Sequence, residues 1–307
     1  MSSEPSPEPS ADQSSGVLTI RRSDGSAFQV TVRVAQPGAP AVLVVPAMGL
    51  GSRYYLRLLD ALAEAGCTGA VTELRGHEEG GQPAGRPPRG RDFGYAELVD
   101  DLDLALAALA AHLPQAPLHL LGHSLGGQVA ALLAARAPER LAGLVLVAAG
   151  TPYWRHWSPR MLVMTQTVGV ISRVLGHFPG ERFRFAGREA RTQMVDWARL
   201  ARTGRFLYGT PRRDHGAAMA STALPVLAVS LEGDSLAPRG SVDDLAGRFP
   251  PACVERVHLD PEAQGFPEAD HLRWARQPGL VLPVLTGWLT RAGAPTPPAT
   301  PPPPPAG

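Results

Sequence analysis

Residues Ala41-Val42-Leu43-Val44-Val45 form an unbroken apolar run with no polar face. A strand with that pattern has to be covered on both sides, which is the condition of an interior strand in a parallel sheet. Parallel neighbours need crossovers of a dozen or more residues, usually helical. The flanking sequence supplies them. Residues 53–65 read as a helix and 69–74 as the next strand, and Leu98, Leu102, Leu106, Leu109 and Leu113 then recur at helical spacing. Residues 118–121 and Gly143–Val147 read as further buried strands, with a helix at 127–137 between them. Farther on, Val226–Leu231 and Val254–Leu259 read as strands, 242–249 and 281–289 as helices. Ahead of the first interior strand, the β-rich runs 16–20 and 28–34 flank Ser23-Asp24-Gly25-Ser26, which reads as a hairpin turn. Alternating strands and helices imply βαβ units. The expected fold is α/β, with a mostly parallel central sheet flanked by helices and an antiparallel edge.

One interval breaks the rhythm. Residues 151–223 offer no clear core strand, yet they carry 9 of the chain's 18 aromatic residues and 4 of its 6 methionines. A structureless loop would not be this apolar. We expect an inserted helical cap there, between core segments 17–150 and 224–292. Residues 1–16 are rich in Ser, Pro and Glu, and 293–307 are Pro-rich; both are expected to be disordered tails. With 307 residues, 44% apolar and 19% charged, the rest can bury one large core.

A formal net charge of +1 argues against a general nucleic-acid binder. No run approaches the roughly 20 apolar residues of a membrane span. The N-terminus lacks a basic start and an apolar segment, and Arg21-Arg22 reads as surface charge. Cys67 and Cys253 each precede a strand and read as small buried fillers, with no zinc or disulfide spacing. The expectation is a cytoplasmic protein without a metal.

The chemical signal is Gly122-His123-Ser124-Leu125-Gly126-Gly127, placed between a strand and a helix. A lone G-x-S-x-G pattern is common by chance, but in this context it is specific. A serine in such a sharp turn has a strained backbone, and its neighbours two positions away must be small. The turn lifts the Ser124 hydroxyl above the sheet, and the helix N-terminus behind it favours developing negative charge. The plainer alternative is an ordinary glycine-rich turn.

A nucleophilic serine needs a base, and the base needs an orienting acid. With a serine in a strand–turn–helix elbow the chain order is serine, acid, histidine. Asp234 falls just after the strand Val226–Leu231, where the sites of open α/β sheets lie. His271 falls in the loop after Val254–Leu259. Glu232 and Asp270 are rival acids; Asp243 and Asp244 fall in an expected helix, and Ala148-Ala149-Gly150 offers no acid. Of the other histidines, His119 and His258 fall inside strands and His123 is the variable residue of the elbow. Two backbone N–H groups should meet an oxyanion. Leu125 is one candidate. Met48, in the loop Pro46-Ala47-Met48-Gly49, is the other, with core filling as its alternative role. From the cap, Trp154, Trp157, Met161, Met164 and Trp197 are candidate substrate contacts.

With these motifs the chain resembles the α/β-hydrolase superfamily over about residues 16–292. The likeness is carried by residues 122–127 and 46–49, by Glu73-Leu74-Arg75-Gly76-His77, by Gly233-Asp234 and by His271. Pro46-Ala47-Met48-Gly49 followed by Tyr54-Tyr55 is similar to a group of bacterial serine-aminopeptidase-like hydrolases. Pro46-Ala47 stands where most members carry His-Gly, and Asp270 where many carry glycine. The resemblance implies acyl transfer to water, with no metal or organic cofactor. Ser124 attacks, His271 moves the proton, Asp234 fixes the imidazole, and the N–H groups of Met48 and Leu125 hold the oxyanion. The expected activity is carboxylic-ester hydrolysis of a small-molecule acyl substrate. Alternatives are thioester or peptide cleavage, transfer to another acceptor, and non-catalytic ligand binding. Residues 151–223 hold 12 arginines against Glu181, Glu189, Asp196 and Asp214, a net charge of +8. That excess suits an anionic or amphiphilic substrate; the simpler reading is that the arginines solvate outer helix faces.

Overall fold

The computed structural model describes residues 15–78, 92–183 and 185–292. The Pro-rich tail, all but the end of the N-terminal tail, and the segment 79–91, whose sequence at 85–91 is rich in arginine, lie outside the described residues. The chain starts with the hairpin, β1 (Gly16–Arg21) and β2 (Ala27–Arg33), paired antiparallel from Gly16↔Val32 to Arg21↔Ala27. Then come β3 (Ala41–Val45), a 3-10 turn at Ser52–Tyr55, α1 (Leu56–Glu64) and β4 (Thr68–Thr72). The first half closes with α2 (Tyr95–His112), β5 (Leu118–His123), α3 (Leu125–Arg136) and β6 (Gly143–Val147).

Between 151 and 223 lie α4 (Pro159–Leu175), β7 (His177–Pro179), β8 (Arg188–Ala190), α5 (Arg191–Thr203), β9 (Leu207–Tyr208) and β10 (Arg213–Asp214). The two helices pack on each other, and β7/β8 and β9/β10 form two short antiparallel pairs outside the main sheet. The segment is therefore not purely helical. The chain returns to the core with β11 (Val226–Leu231), α6 (Arg239–Ala246), β12 (Val254–Leu259) and α7 (Leu282–Ala292).

The main sheet has eight strands in the order β1-β2-β4-β3-β5-β6-β11-β12. All pairs from β4 to β12 are parallel, and the hairpin adds the antiparallel edge. Every residue of β3, β4, β5, β6 and β11 is buried, as interior strands covered on both faces must be. The edge strand β12 instead exposes Glu255 and Arg256, charges that discourage edge-to-edge pairing. Two readings of the sequence are corrected here. Arg22 is buried, because its Nε–H donates to Asp101 at 2.8 Å and its guanidinium stacks 4.5 Å above the Phe28 ring. Cys67 is a buried filler, but Cys253 is only half-buried, on the short turn Pro251–Cys253 before the exposed edge strand.

The strand order places the site. β3 connects to β4 on one side and pairs with β5 on the other, so the chain changes direction between β3 and β5. Loops leaving the carboxyl ends of two such strands diverge and open a crevice. Val45 pairs with Gly122, which sets the loop after β3 beside the turn after β5. Leu231 pairs with Leu259, which brings the loops after β11 and β12 to the same edge.

Candidate active site

Ser124 sits between β5 and α3 with φ +54° and ψ −119°, a conformation that L-residues adopt at a cost. The glycines around it are steric requirements. A Cβ at Gly122 would collide with the Gly127 backbone, one at Gly126 with the carbonyl oxygens of Val45 and Pro46, and one at Gly127 with Ala149. The close approach of α3 to β3 thus exists only because position 126 has no side chain.

Ser124 Oγ lies 3.0 Å from His271 Nε2, and His271 Nδ1 lies 2.8 Å from Asp234 Oδ2. With the carboxylate accepting from Nδ1–H, Nε2 is left to accept the serine proton. Asp234 Oδ1 accepts from the backbone N–H groups of Leu236 and Ala237 at 2.8 and 2.9 Å. The carboxylate is thereby fixed on both oxygens. Asp234 and His271 are both buried. The rival acids are engaged elsewhere: Glu232 accepts from His258 Nε2 at 2.7 Å on an exposed face, and Asp270 Oδ1 accepts from the N–H groups of Leu272 and Arg273. His119 packs edge-on against Trp288, and burial pushes its imidazole down to about 4.

Ser124 and His271 open into a cavity of about 170 Å³, which Met48 and Leu125 also border. Four of the candidate contacts line it: Trp157, Met161, Met164 and Trp197. Trp154 does not. Its ring packs edge-on against Tyr153 at 6.4 Å, with the Arg155 guanidinium 5.4 Å above it. Trp157 lines the cavity with its indole N–H donating to the Thr151 carbonyl at 3.2 Å.

Phe185, Leu236 and Gln128 line the cavity and were not anticipated. Leu236 could have been found from its place two residues after Asp234; Phe185 carries no such signal. Gln128 brings no free polar group, since it accepts from Tyr95 Oη at 2.5 Å and donates to Gly150 O at 2.7 Å. No aspartate, glutamate or arginine is among the described residues that line the cavity. Several arginines of 151–223 are paired instead: Arg191 with Asp92, Arg199 with Asp196, and Arg205 with Asp214.

Comparison with known proteins agrees with this architecture. Residues 40–169 match the family model described as alpha/beta hydrolase fold. A pimeloyl-[acyl-carrier protein] methyl ester esterase of Chromobacterium violaceum is 29% identical over 218 residues, 68% of this chain and 74% of that protein. A protein of Variovorax paradoxus named as a carbamate hydrolase, RutD, is 38% identical over 109 residues, 35% of this chain. That match spans only 37% of the relative's own length. Among solved structures, a monoglyceride lipase variant from Saccharomyces cerevisiae shares the fold with a TM-score of 0.65 at 15% identity, over 95% of this chain and 100% of that one. The chain has the α/β-hydrolase fold, and over residues 40–169 its sequence matches that family. The finer likeness to serine-aminopeptidase-like hydrolases rests on the residues after β3 alone.

Proposed function

We propose that this protein is a serine hydrolase that cleaves carboxylic esters of small, apolar acyl groups, with Ser124 as nucleophile, His271 as general base and acid, and Asp234 as the orienting acid. The observation that carries the reading is the unbroken chain Ser124 Oγ, His271 and Asp234, at 3.0 and 2.8 Å, at the wall of an apolar cavity. His271 Nε2 takes the serine proton while Oγ attacks the carbonyl carbon. The backbone N–H groups of Met48 and Leu125 meet the developing oxyanion. His271 then protonates the departing alkoxide, leaving an acyl-serine. A water molecule, deprotonated by His271, attacks the acyl carbon, and the proton returns to Oγ as the acid leaves. Asp234 keeps Nδ1 protonated throughout.

The lining supports a neutral, apolar acyl group rather than an anionic one. Among the described lining residues a carboxylate or phosphate would find no arginine as a pairing cation, and its desolvation is costly. Any charged part of a larger substrate stays at the mouth. We read residues 151–223 as a cap over the site, because Trp157, Met161, Met164, Phe185 and Trp197 all come from that segment.

Labelling of the full-length chain with a fluorophosphonate, with the adduct located by mass spectrometry, tests the reading. An adduct on Ser124, absent in Ser124→Ala, is the expected result. A folded protein that takes no label at Ser124 and turns over no ester in a chain-length series refutes it.

A further inference from the structure

Behind the site lies a second hydrogen-bonded chain, and the reaction described above does not use it. The backbone N–H of Ala47 donates to Tyr55 Oη at 2.8 Å. Tyr55 Oη lies 2.8 Å from His123 Nδ1, and His123 Nε2 lies 2.7 Å from the carbonyl oxygen of His271. Tyr55 and His123 are both fully buried. The ends fix the direction of every bond between them. An amide N–H only donates and a carbonyl oxygen only accepts. His123 must therefore carry its proton on Nε2 to serve the His271 carbonyl. A neutral imidazole then presents Nδ1 as an acceptor, and the Tyr55 hydroxyl fills it. Burial, together with the neighbouring His271, holds the His123 imidazole well below its ordinary range, in keeping with the neutral form. Each donor meets an acceptor, and none is left over.

The residues joined in this way are the neighbours of the proposed machinery. Ala47 precedes Met48, the oxyanion donor of the loop after β3. His123 precedes Ser124. The third anchor is the main chain of His271 itself. These three segments are far apart in sequence, and in the sheet they stand at the ends of β3, β5 and β12. The rings are clamped from the sides: Tyr54 packs edge-on against Tyr55 at 5.7 Å, and Trp274 against His123 at 5.1 Å. Neither Tyr55 nor His123 borders the cavity, so neither can touch a bound acyl group.

We infer that Tyr55 and His123 are positioning residues, holding the oxyanion loop and the His271 loop in one register about Ser124. The inference rests on the serine-hydrolase reading above. Phenylalanine at 55 and methionine at 123 would fill much the same space, so packing alone does not call for this chain of polar groups. What the polar groups add is a fixed distance between an oxyanion donor and the base. Acyl transfer is sensitive to that distance, since a displacement of about 1 Å costs roughly a hundredfold in rate.

Four variants of the full-length chain test the role: Tyr55→Phe, His123→Met, the double variant, and His123→Gln. The readouts are the rate of fluorophosphonate labelling at Ser124, kcat and KM for p-nitrophenyl butyrate, and the melting temperature. Tyr55→Phe and His123→Met should each lower kcat by about a hundredfold while KM moves less than about threefold. The double variant should lose little more than His123→Met alone, because the two residues act as one unit. His123→Gln keeps an amide N–H that reaches toward the His271 carbonyl, and it should recover about tenfold of the loss. As a control, Leu109→Ala in α2 should lower the melting temperature without lowering kcat. If His123→Met does not fold, Tyr55→Phe, which deletes a single oxygen, decides the question. The inference is overturned if folded Tyr55→Phe labels and turns over at the wild-type rate, if the loss lies in KM alone, or if His123→Gln is no better than His123→Met. Failure of the underlying reading looks different, because wild-type protein would then take no label at Ser124.

Discussion

Replacing Glu189 by glutamine should weaken the fold most near pH 6 and less as the pH rises. Glu189 is fully buried in β8. Its carboxylate accepts from the Gly187 N–H at 3.2 Å and from Gln193 Nε2 at 2.9 Å, and it lies 3.2 Å from Nε2 of the buried His77. Three donors thus converge on one carboxylate. The contact ties the loop after β4 to the segment at 185–187, whose Ala186 Cα stands where a Cβ on Gly49 would point. Burial lowers the His77 imidazole, but the charge of Glu189 and the hydrogen bond to it outweigh that and leave it raised above its ordinary 6.5. Burial alone would raise Glu189, yet the His77 charge and the converging donors hold it below its ordinary 4.5. Because the folded-state value of His77 is raised, its contribution is complete below pH 6.5 and disappears as the pH rises through that raised value. Glu189 is depressed, so its contribution is present above pH 4.5 and disappears as the pH falls through the depressed value. The pair is therefore strongest between those limits.

Removing one partner of a buried ion pair costs about 3–5 kcal/mol. Glutamine keeps one accepting oxygen, which places Glu189→Gln near the lower end, about 3 kcal/mol at pH 6. At about 2–4 °C per kcal/mol for a domain of this size, the melting temperature should fall by roughly 6–12 °C. Above the His77 transition the lost charge no longer matters. What remains is a donor facing the new amide NH2, about 1–2 kcal/mol. Thermal melts of wild type and Glu189→Gln from pH 5.5 to 9, followed by circular dichroism, measure the difference directly. A gap that stays constant across that range, or one below about 2 °C throughout, refutes the reasoning.

Asp234→Asn should lower kcat by about four orders of magnitude with little change in melting temperature, because an amide can no longer hold Nδ1 in its protonated form; steady-state kinetics beside a thermal melt check both halves. Trp197→Ala should widen the cavity and shift the ester series toward longer acyl chains, each methylene being worth about 10–200-fold in kcat/KM. Trp154→Ala should leave that series unchanged, and a shift in it would mean that Trp154 reaches the substrate after all. Gly126→Ala puts a Cβ into the carbonyl oxygens of Val45 and Pro46, so soluble yield or labelling at Ser124 should collapse; a folded, fully labelled variant would show that α3 can back away from β3.

Much of the fold was legible because it is written in local periodicity. The runs at Ala41–Val45, Gly143–Val147, Val226–Leu231 and Val254–Leu259 are strands with those bounds. The first three carry no charged residue and have to be covered on both faces, whereas Val254–Leu259, with Glu255 and Arg256, is the exposed edge. Helix ends were less legible. The expected helix at 242–249 is Arg239–Ala246: Pro238 is its N-cap, and the Pro238 carbonyl accepts from the N–H groups of Ser241 and Val242 at 2.8 and 3.3 Å. The order Ser124, Asp234, His271 was readable because each follows a strand that the pattern had marked. Their mutual distances follow from parallel pairing in the sheet.

What the sequence could not supply is the set of partnerships between distant segments. Trp154 and Trp157 have the same chemistry three residues apart, yet only Trp157 lines the cavity, with its indole N–H on the Thr151 carbonyl. His123 stood as the variable residue of a motif until Tyr55, 68 residues away, and the His271 carbonyl, 148 away, came within 2.8 Å of its two nitrogens. Glu189 meets His77 across 112 positions. Amino-acid order determined which stretches must be buried and which turn must be strained, because burial period and backbone strain act over a few residues. Tertiary structure decided which buried polar groups meet, because a hydrogen bond depends on ångström-scale placement of chains that the sheet brings together from far apart.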